Sequence, residues 1–332
     1  MHASPSIALV TITTRLKGLL AKYGTKGAAK FRLRTAREHF ATAAGSAETA
    51  TAIDAASDFD EYVEEDAHYR RAVDTVKEAI GGLGFNLIDV ERRYLATCDF
   101  RHTTLIVVVG PDGLVANTAK YVGNLPIVAI NPDPARIDGQ LLPFQVRDAR
   151  SIVQRTLDRQ VKTTEITLAR ASLPDGQTLL AFNDFFVGRR SHASARYVLY
   201  WQAASEVQSS SGLIVSTGAG STGWLSSVFN MSRGVNGWIG GKAGEVPKIG
   251  WSDRQLAWVV REPFSSRTTG VEMVAGMIDE SMVLRIESLM PQQGVIFSDG
   301  IENDFLEFNS GVVAEFTVAP QKTRLVTGPA DR

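Results

Sequence analysis

A chain of 332 residues exceeds what one hydrophobic core usually serves, so two domains or one elaborated domain are expected. With 44% hydrophobic and 21% charged residues the composition is that of an ordinary globular protein, and a net charge of −1 gives no global attraction to nucleic acid. No apolar run reaches the roughly 18 residues that cross a bilayer, the start lacks the basic-then-apolar order of a secretory signal, and the single cysteine, Cys98, excludes an internal disulfide and a cysteine-based zinc site; a cytoplasmic protein without nucleic-acid or membrane partners is expected.

In chain order, SIALVTIT (6–13) reads as a first strand, rich in β-branched residues. Charge then separates. Eight basic residues and no acid lie between Arg15 and Arg37, and eight acids without Lys or Arg lie between Glu48 and Asp66. These read as two solvated, mobile surface stretches that partly neutralise each other, or alternatively as a basic arm near a polyphosphate. With the Ala/Ser/Thr-rich ATAAGSAETATAIDAAS between them, they predict a charged flexible insert near 22–66. DAHYRRAVDTVKEAIGG has helical spacing of Ala72, Val73, Val76, Ala79 and Ile80, with Gly81 and Gly82 as stop signals. NLIDV, TLIVVVG and PIVAIN are short apolar runs, and LVANTAKYVGN suits a crossover helix between the last two; the alternation predicts a parallel, doubly wound α/β domain over 1–146. After about residue 150 the texture becomes short alternating runs with turns, from TEITLARASL to GVIFSDG, which predicts a mostly antiparallel β-rich domain over 147–332.

GLIVSTGAGSTGW (212–224) contains a literal G-x-G-x-x-G and, one residue on, a near match to the G-x-S-x-G elbow. A Rossmann turn needs a helix, a second strand and an acid about 20 residues on; the following WLSSVFNMSRGVNGWIGGKAGEVPK offers no apolar second strand. A hydrolase needs its histidine after the nucleophile, yet all five histidines precede Ser221. No P-loop is present either. What remains is a glycine- and hydroxyl-rich loop at a strand end, whose backbone N–H groups are suited to phosphate, although such a loop is as often purely structural.

TLIVVVGPDGLVANTAKYV (104–122) places Asp112 between glycines at the end of a strand. Ligands of open α/β sheets gather outside the strand carboxyl ends, where a carboxylate can meet a sugar hydroxyl while nearby N–H groups face phosphates. Pro-Asp-Gly is also common turn chemistry.

With the remaining motifs the chain resembles the NAD kinase family, closest to its mitochondrial-type branch. GPDGLV, with Gly110 and Gly113 around Asp112, resembles the family's G-G-D-G-T loop, and AINPDPARIDGQL, with Asn131 and Asp133, resembles the branch's asparagine–aspartate–proline segment. LAFNDFFVG resembles its A-L-N-E strand, SSSGLIVSTGAGSTGW its S-S-G-L…T-G-T-G-S-K-A-W segment, and VREPF and FSDGIENDFLEFNSG two later signatures; VTITTR echoes its first strand. The similarity runs, with gaps, from about residue 8 to the C-terminus. It implies an NAD kinase-like two-domain fold, a doubly wound α/β nucleotide domain and a β-sandwich-like domain meeting at the active site, with the C-terminal segment a candidate to return to the first domain. It implies phosphoryl transfer from ATP to the adenosine ribose 2′-hydroxyl of NAD, with Asp112 orienting that hydroxyl and taking its proton. Asn183 and Asp184 would hold nucleoside hydroxyls or amines, Gly218, Gly220, Ser221 and Thr222 would line the dinucleotide and its phosphates, Trp224 would pack against a base, and Asp299 would line the site or merely form a hairpin turn with Gly300. Asn131 and Asp133 have the same two readings, turn or nucleoside contact. Mg²⁺ would enter with ATP rather than in a protein metal site, and a homodimer or higher homo-oligomer is implied.

Three departures stand out. Pro111 replaces the second loop glycine and removes an N–H, Asp184 replaces a longer glutamate, and Gly223-Trp224 replaces Ala-Tyr or Ala-Trp. They leave open a diverged kinase of the same superfamily acting on a sugar or lipid, and a non-catalytic dinucleotide-binding regulator. His192 has no ligand-spaced partner, Arg189, Arg190 and Arg196 read as surface charges, and Trp201, Trp238, Trp251 and Trp258 read as core or interface anchors.

Overall fold

The computed structural model describes residues 5–44, 59–242 and 244–330. The chain forms two compact units. The first takes the chain up to Val115, Val128–Val161 and the end from Gly328; the second takes Ala116–Ile127 and Lys162–Thr327.

In chain order the first unit carries β1 (Ser6–Thr11), α1 (Arg15–Tyr23), α2 (Lys26–Ala44), α3 (Phe59–Gly81), β2 (Asn86–Glu91) and β3 (Thr103–Val109); α4 (Asp112–Ala119) starts in it, β4 (Pro126–Asn131) ends in it, and β5 (Phe144–Gln145) and α5 (Ala149–Leu157) follow. The strands lie in the order β4-β3-β1-β2, with β1 parallel to both β2 and β3. Ile7–Val10 and Leu105–Val109 are wholly buried, which is why these strands read as unbroken apolar runs rather than alternating ones. Helix α3 buries Tyr69, Ala72, Val73, Val76 and Ile80, a stripe at helical spacing.

The expected charged flexible insert near 22–66 requires correction where residues are described. Lys26–Ala44 is helical, and α3 already starts at Phe59. The reason is a small apolar set scattered among the charges: Leu16, Ala29 and Phe59 pack with Leu19, Leu20, Tyr23, Leu33, Tyr62 and Val63. Opposite charges meet across these helices, in Arg15–Glu65 and Lys30–Asp60. The Thr14 hydroxyl caps α1 by accepting the Lys17 N–H and donates to buried Asp66 at 2.5 Å. Most of ATAAGSAETATAIDAAS lies outside the described residues.

The second unit contains β6 (Val161–Ser172), β7 (Thr178–Ala181), β8 (Asp184–Arg189), β9 (Ala195–Trp201), β10 (Ala204–Ser210), β11 (Leu213–Ser216), α6 (Trp224–Trp238), β12 (Gln255–Val260), β13 (Ala275–Asp279), β14 (Leu284–Ser288), β15 (Gly294–Ser298), β16 (Phe305–Glu307) and β17 (Val313–Pro329). One layer has the order β10-β9-β14-β17, with β6 pairing β17 and β7 pairing β6; the other has the order β13-β12-β11-β8-β15-β16 and is antiparallel throughout. Alternate residues of both layers, among them Leu213, Val215, Leu256, Trp258, Ile286 and Phe316, form one sandwich core. Phe185 and Phe316 meet there edge to face at 5.6 Å.

On the second layer the residues between, Ile214, Ala257 and Val259, point outward against Leu225 of α6. The helix forms from WLSSVFNMSRGVNGW although its glycines weaken helix propensity, because packing on the sheet supplies what propensity does not. Among the described residues no helix is long and apolar enough to cross a membrane.

Replacing Thr14 by Ala should lower stability by about 1–2 kcal/mol in urea denaturation, because the α1 cap and a donor to a buried carboxylate go together. An unchanged midpoint would show that α1 does not depend on its cap.

Candidate functional site

In the first unit β3 delivers the chain to Gly110, Pro111 and Asp112, and α4 begins there. A Cβ on Gly110 would lie 2.7 Å from the Leu114 side-chain tip, so a larger residue there would require that side chain to shift. The Pro111 carbonyl accepts the Leu114 N–H at 2.8 Å and closes the first turn. Asp112 is half-buried, and its Oδ1 accepts the Leu141 N–H at 2.6 Å. One carboxylate oxygen is thus anchored, and no described residue donates to the other. Gly113 is exposed, with nothing within 4 Å of where a Cβ would stand.

Asn131 is buried at the end of β4, and its carboxamide is spent on the turn: Oδ1 accepts the Asp133 N–H, and Nδ2 donates to the Ile137 carbonyl, both at 2.9 Å. Asp133 opens instead onto a cavity of about 270 Å³ lined by Ile12, Pro111, Pro132 and Ile137 as apolar wall, with Arg15, Glu65, His68, Tyr69 and Arg136. Ile12, Pro111 and Pro132 follow β1, β3 and β4, so the cavity sits outside strand carboxyl ends, where open sheets bind ligands. Its charges are already paired: the Arg15 Nε donates to Glu65 at 2.8 Å, and Arg136 lies 3.9 Å from Asp133. The Tyr69 hydroxyl accepts the Ile12 N–H and donates to the Val109 carbonyl; this buried phenol is structural.

In the second unit the segment Phe182–Asp184 has every backbone polar group accounted for by two residues. Asp299 accepts the N–H of Phe182 at 3.1 Å, of Asn183 at 2.6 Å and of Asp184 at 3.4 Å, and its own N–H donates to the Asp184 carbonyl at 2.9 Å. Thr217 donates its hydroxyl to the Phe182 carbonyl at 2.5 Å and its N–H to the Asn183 carbonyl at 2.8 Å. Only the side chains of Asn183 and Asp184 remain without protein partners. Asp184 is 7% exposed, and burial, with Asp299 nearby as the lesser cause, pushes its carboxyl up to about 7. Burial also pushes Asp299 up, against the opposing pull of Lys120 and the three N–H donors. Both Asp299 oxygens already accept N–H groups, which is the pattern of an ionised carboxylate, so the proton of this pair resides on Asp184.

The loop after β11 is a short turn of helix over Ala219–Thr222, between antiparallel strands and α6, and not a Rossmann turn. Its glycines answer to neighbouring carbonyls. A Cβ on Gly218 would lie 2.0 Å from the Gly250 oxygen, and one on Gly220 2.1 Å from the Asn183 oxygen. The Ser221 hydroxyl donates to the Gly218 carbonyl at 2.7 Å, whereas Thr222 is exposed. The Trp224 ring stacks on Phe186 at 5.7 Å, and Arg261 lies over it at 5.1 Å, so it is engaged by its own protein. Trp258 is a core anchor, as its apolar surroundings suggest, while Trp238 is 86% exposed.

The structure therefore brings Gly110, Asp112, Gly113, Asn131 and Asp133 together in one unit, and Asn183, Asp184, Gly218, Gly220, Ser221 and Asp299 in the other. Sequence reasoning missed His68 and Arg136 at the cavity, and read Arg15 only as the start of a basic stretch, either a solvated surface or a basic arm near a polyphosphate. It also missed Lys120, whose ammonium is buried against Ser298 and Asp299. A buried lysine beside an apolar helix carries no local motif.

No protein-family model matches this sequence, and no curated protein matches it. Solved structures do. A yeast NADH kinase complexed with NADH superposes with a TM-score of 0.56 at 14% identity, over 100% of this chain and 85% of that one. An NAD kinase from Archaeoglobus fulgidus in complex with ATP gives 0.53 at 16% identity, over 77% and 89%. The fold is that of the NAD kinases.

Two outcomes test this geometry. The proton on Asp184 stabilises the fold fully below the unfolded carboxyl pKa of about 4, and that stability is lost as pH rises through about 7, at up to about 1.4 kcal/mol per unit. Asp184→Asn, neutral throughout, should therefore gain on the parent between pH 5 and pH 8 in urea midpoints; an equal difference at both values would mean that Asp184 titrates normally. Gly220→Ala should cost about 1–3 kcal/mol, since the new methyl must displace the Asn183 carbonyl, while Gly113→Ala should be tolerated.

Proposed function

We propose that the protein is an NAD kinase of the mitochondrial-type branch, transferring the γ-phosphoryl group of ATP to the adenosine ribose 2′-hydroxyl of NAD to give NADP and ADP. The observation that carries this reading is the half-committed carboxylate of Asp112: one oxygen is held by the Leu141 N–H, and the other is left to orient a hydroxyl and accept its proton. The strand-end cavity beside Pro111 supports it. Its apolar walls suit a nucleobase, and Arg15 and Arg136 on its rim suit phosphate, which they would share with Glu65 and Asp133. At about 270 Å³ it is smaller than most ligand pockets, and so fits part of a nucleotide.

In the second unit, Asn183 and Asp184 would take nucleoside hydroxyls or amines, and a protonated Asp184 both donates and accepts. Gly218, Gly220, Ser221 and Thr222 would face the dinucleotide phosphates. Phosphoryl transfer relies on position and electrostatics more than on covalent chemistry, so this sparse set suffices. Mg²⁺, when bound, neutralises charge developing on the phosphates. The ion would be carried in on ATP oxygens and water rather than in a protein metal site. The two solved relatives, an NADH kinase holding NADH and an NAD kinase holding ATP, bind ligands of the classes proposed here.

A non-catalytic dinucleotide-binding regulator is the second reading, favoured by one observation. Pro111 has no N–H, and the Leu114 N–H is already bonded to its carbonyl, so the loop offers few donors to a phosphate. NADP formation from ATP, Mg²⁺ and NAD decides between them. The kinase reading expects turnover by the parent and a fall in kcat of about 10²–10⁴-fold in Asp112→Asn, with NAD affinity nearly unchanged. NAD binding without any NADP from the parent supports the regulator, and equal turnover by both proteins removes Asp112 from the chemistry.

A further inference from the structure

Lys120 follows directly on α4, and its side chain is 1% exposed. Its ammonium donates to the Ser298 hydroxyl at 2.8 Å and lies 3.7 Å from the Asp299 carboxylate, itself 2% exposed. The next residue, Tyr121, donates its hydroxyl to Asp304. Two successive side chains thus grip both ends of the loop between β15 and β16. Asp299 stands in that loop at φ 54°, followed by Gly300 at φ 69°, a left-handed pair that turns the Asp299 side chain back onto the strand before it leaves the sheet.

A buried carboxylate needs compensation, and Asp299 accepts the three N–H groups of Phe182, Asn183 and Asp184 through both oxygens, which only its ionised form offers in full. Lys120 is the one cation within ion-pair distance of Asp299 among the described residues. One ion pair and three charge-assisted hydrogen bonds link the Lys120 ammonium, through the Asp299 carboxylate, to the residues carrying the unpartnered Asn183 and Asp184 side chains.

We propose that Lys120 is a positioning residue: through Asp299 it fixes the backbone of Phe182–Asp184, and so aims Asn183 and Asp184 at the nucleoside part of the acceptor dinucleotide. This rests on the kinase reading for the identity of the ligand, and on the structure alone for the clasp. Lys120 touches no substrate in this account. Its loss affects the acceptor and leaves the donor nucleotide alone, because the strand-end cavity, to which this reading assigns the donor, is built from other residues. Lys120→Arg keeps the charge, whereas Lys120→Met leaves a buried carboxylate uncompensated and threatens folding. The paired Lys120→Met/Asp299→Asn variant removes both charges while keeping one acceptor oxygen.

The test combines amide hydrogen exchange with steady-state kinetics on the full chain. In Lys120→Met, and more mildly in the double variant, the amides of Asn183 and Asp184 should exchange at least about tenfold faster than in the parent, while those of Val187 and Val215 in the same layer are unchanged. The KM for NAD should rise about tenfold or more while the KM for ATP stays within about twofold, and Lys120→Arg should restore both readouts most of the way. Unchanged exchange at 183 and 184 overturns the clasp. Faster exchange with an unaltered KM for NAD overturns the positioning role and leaves a structural bond only. Uniformly faster exchange across the layer, with both KM values shifted, also overturns it. If the parent makes no NADP, the kinase reading fails by itself, and the exchange data still decide whether Lys120 holds the segment.

Discussion

The second unit is organised around one electrostatic requirement, the compensation of the Asp299 carboxylate out of contact with water. An ionised carboxylate at 2% exposure is costly to maintain, and the chain meets that cost with a lysine and three successive backbone N–H groups. Those donors belong to the residues entering β8, so the turn after β15 and the start of β8 cannot move independently. Thr217 secures the carbonyl side of the same segment. Gly220 completes the arrangement by having no side chain, which lets its loop close onto the Asn183 carbonyl. What is left over is two polar side chains on a fully satisfied backbone, one of them a carboxyl that burial pushes up to about 7.

The first unit solves a different problem with similar economy. Its buried parallel strands end at a common edge, and the residues just past them, Ile12, Pro111 and Pro132, are apolar and stiff. Prolines at two of these three positions fix the walls of a slot without needing hydrogen bonds. Asp112 is held by a backbone N–H from a distant turn, which sets its orientation without neutralising its charge. Asn131 shapes that same region by tying the turn at Asp133 and Ile137.

Much of this was legible in the sequence, for identifiable reasons. The runs that became β1, β3 and β4 are so strongly apolar that only buried strands accommodate them, and the alternation after residue 150 states an antiparallel β-rich domain, the sandwich being implied only by the family resemblance. The G-x-G-x-x-G match misled on its own terms, since Gly218 and Gly220 are glycines because carbonyls of Gly250 and Asn183 stand where a Cβ would go. Charge hid α1, α2 and the start of α3: Leu16, Ala29 and Phe59 are too few among lysines and glutamates to show a stripe. Trp224 looked like a platform for a base, but only tertiary structure brings Phe186 against its ring. Least legible was the Lys120–Asp299 pair. Its members are far apart in the chain, neither lies in a recognisable spacing, and a lysine after a helix reads as solvent-exposed until the fold encloses it.

The proposed reaction is phosphorylation of a dinucleotide at its adenosine ribose. The most direct measurement is to incubate the protein with NAD and ATP labelled on the γ-phosphate, and to locate the label in the product by phosphorus–proton correlation in NMR. The account predicts one labelled phosphate per dinucleotide, coupled to the 2′ proton of the adenosine ribose. Label on any other hydroxyl, or NAD recovered unlabelled while the protein binds it, would contradict the account.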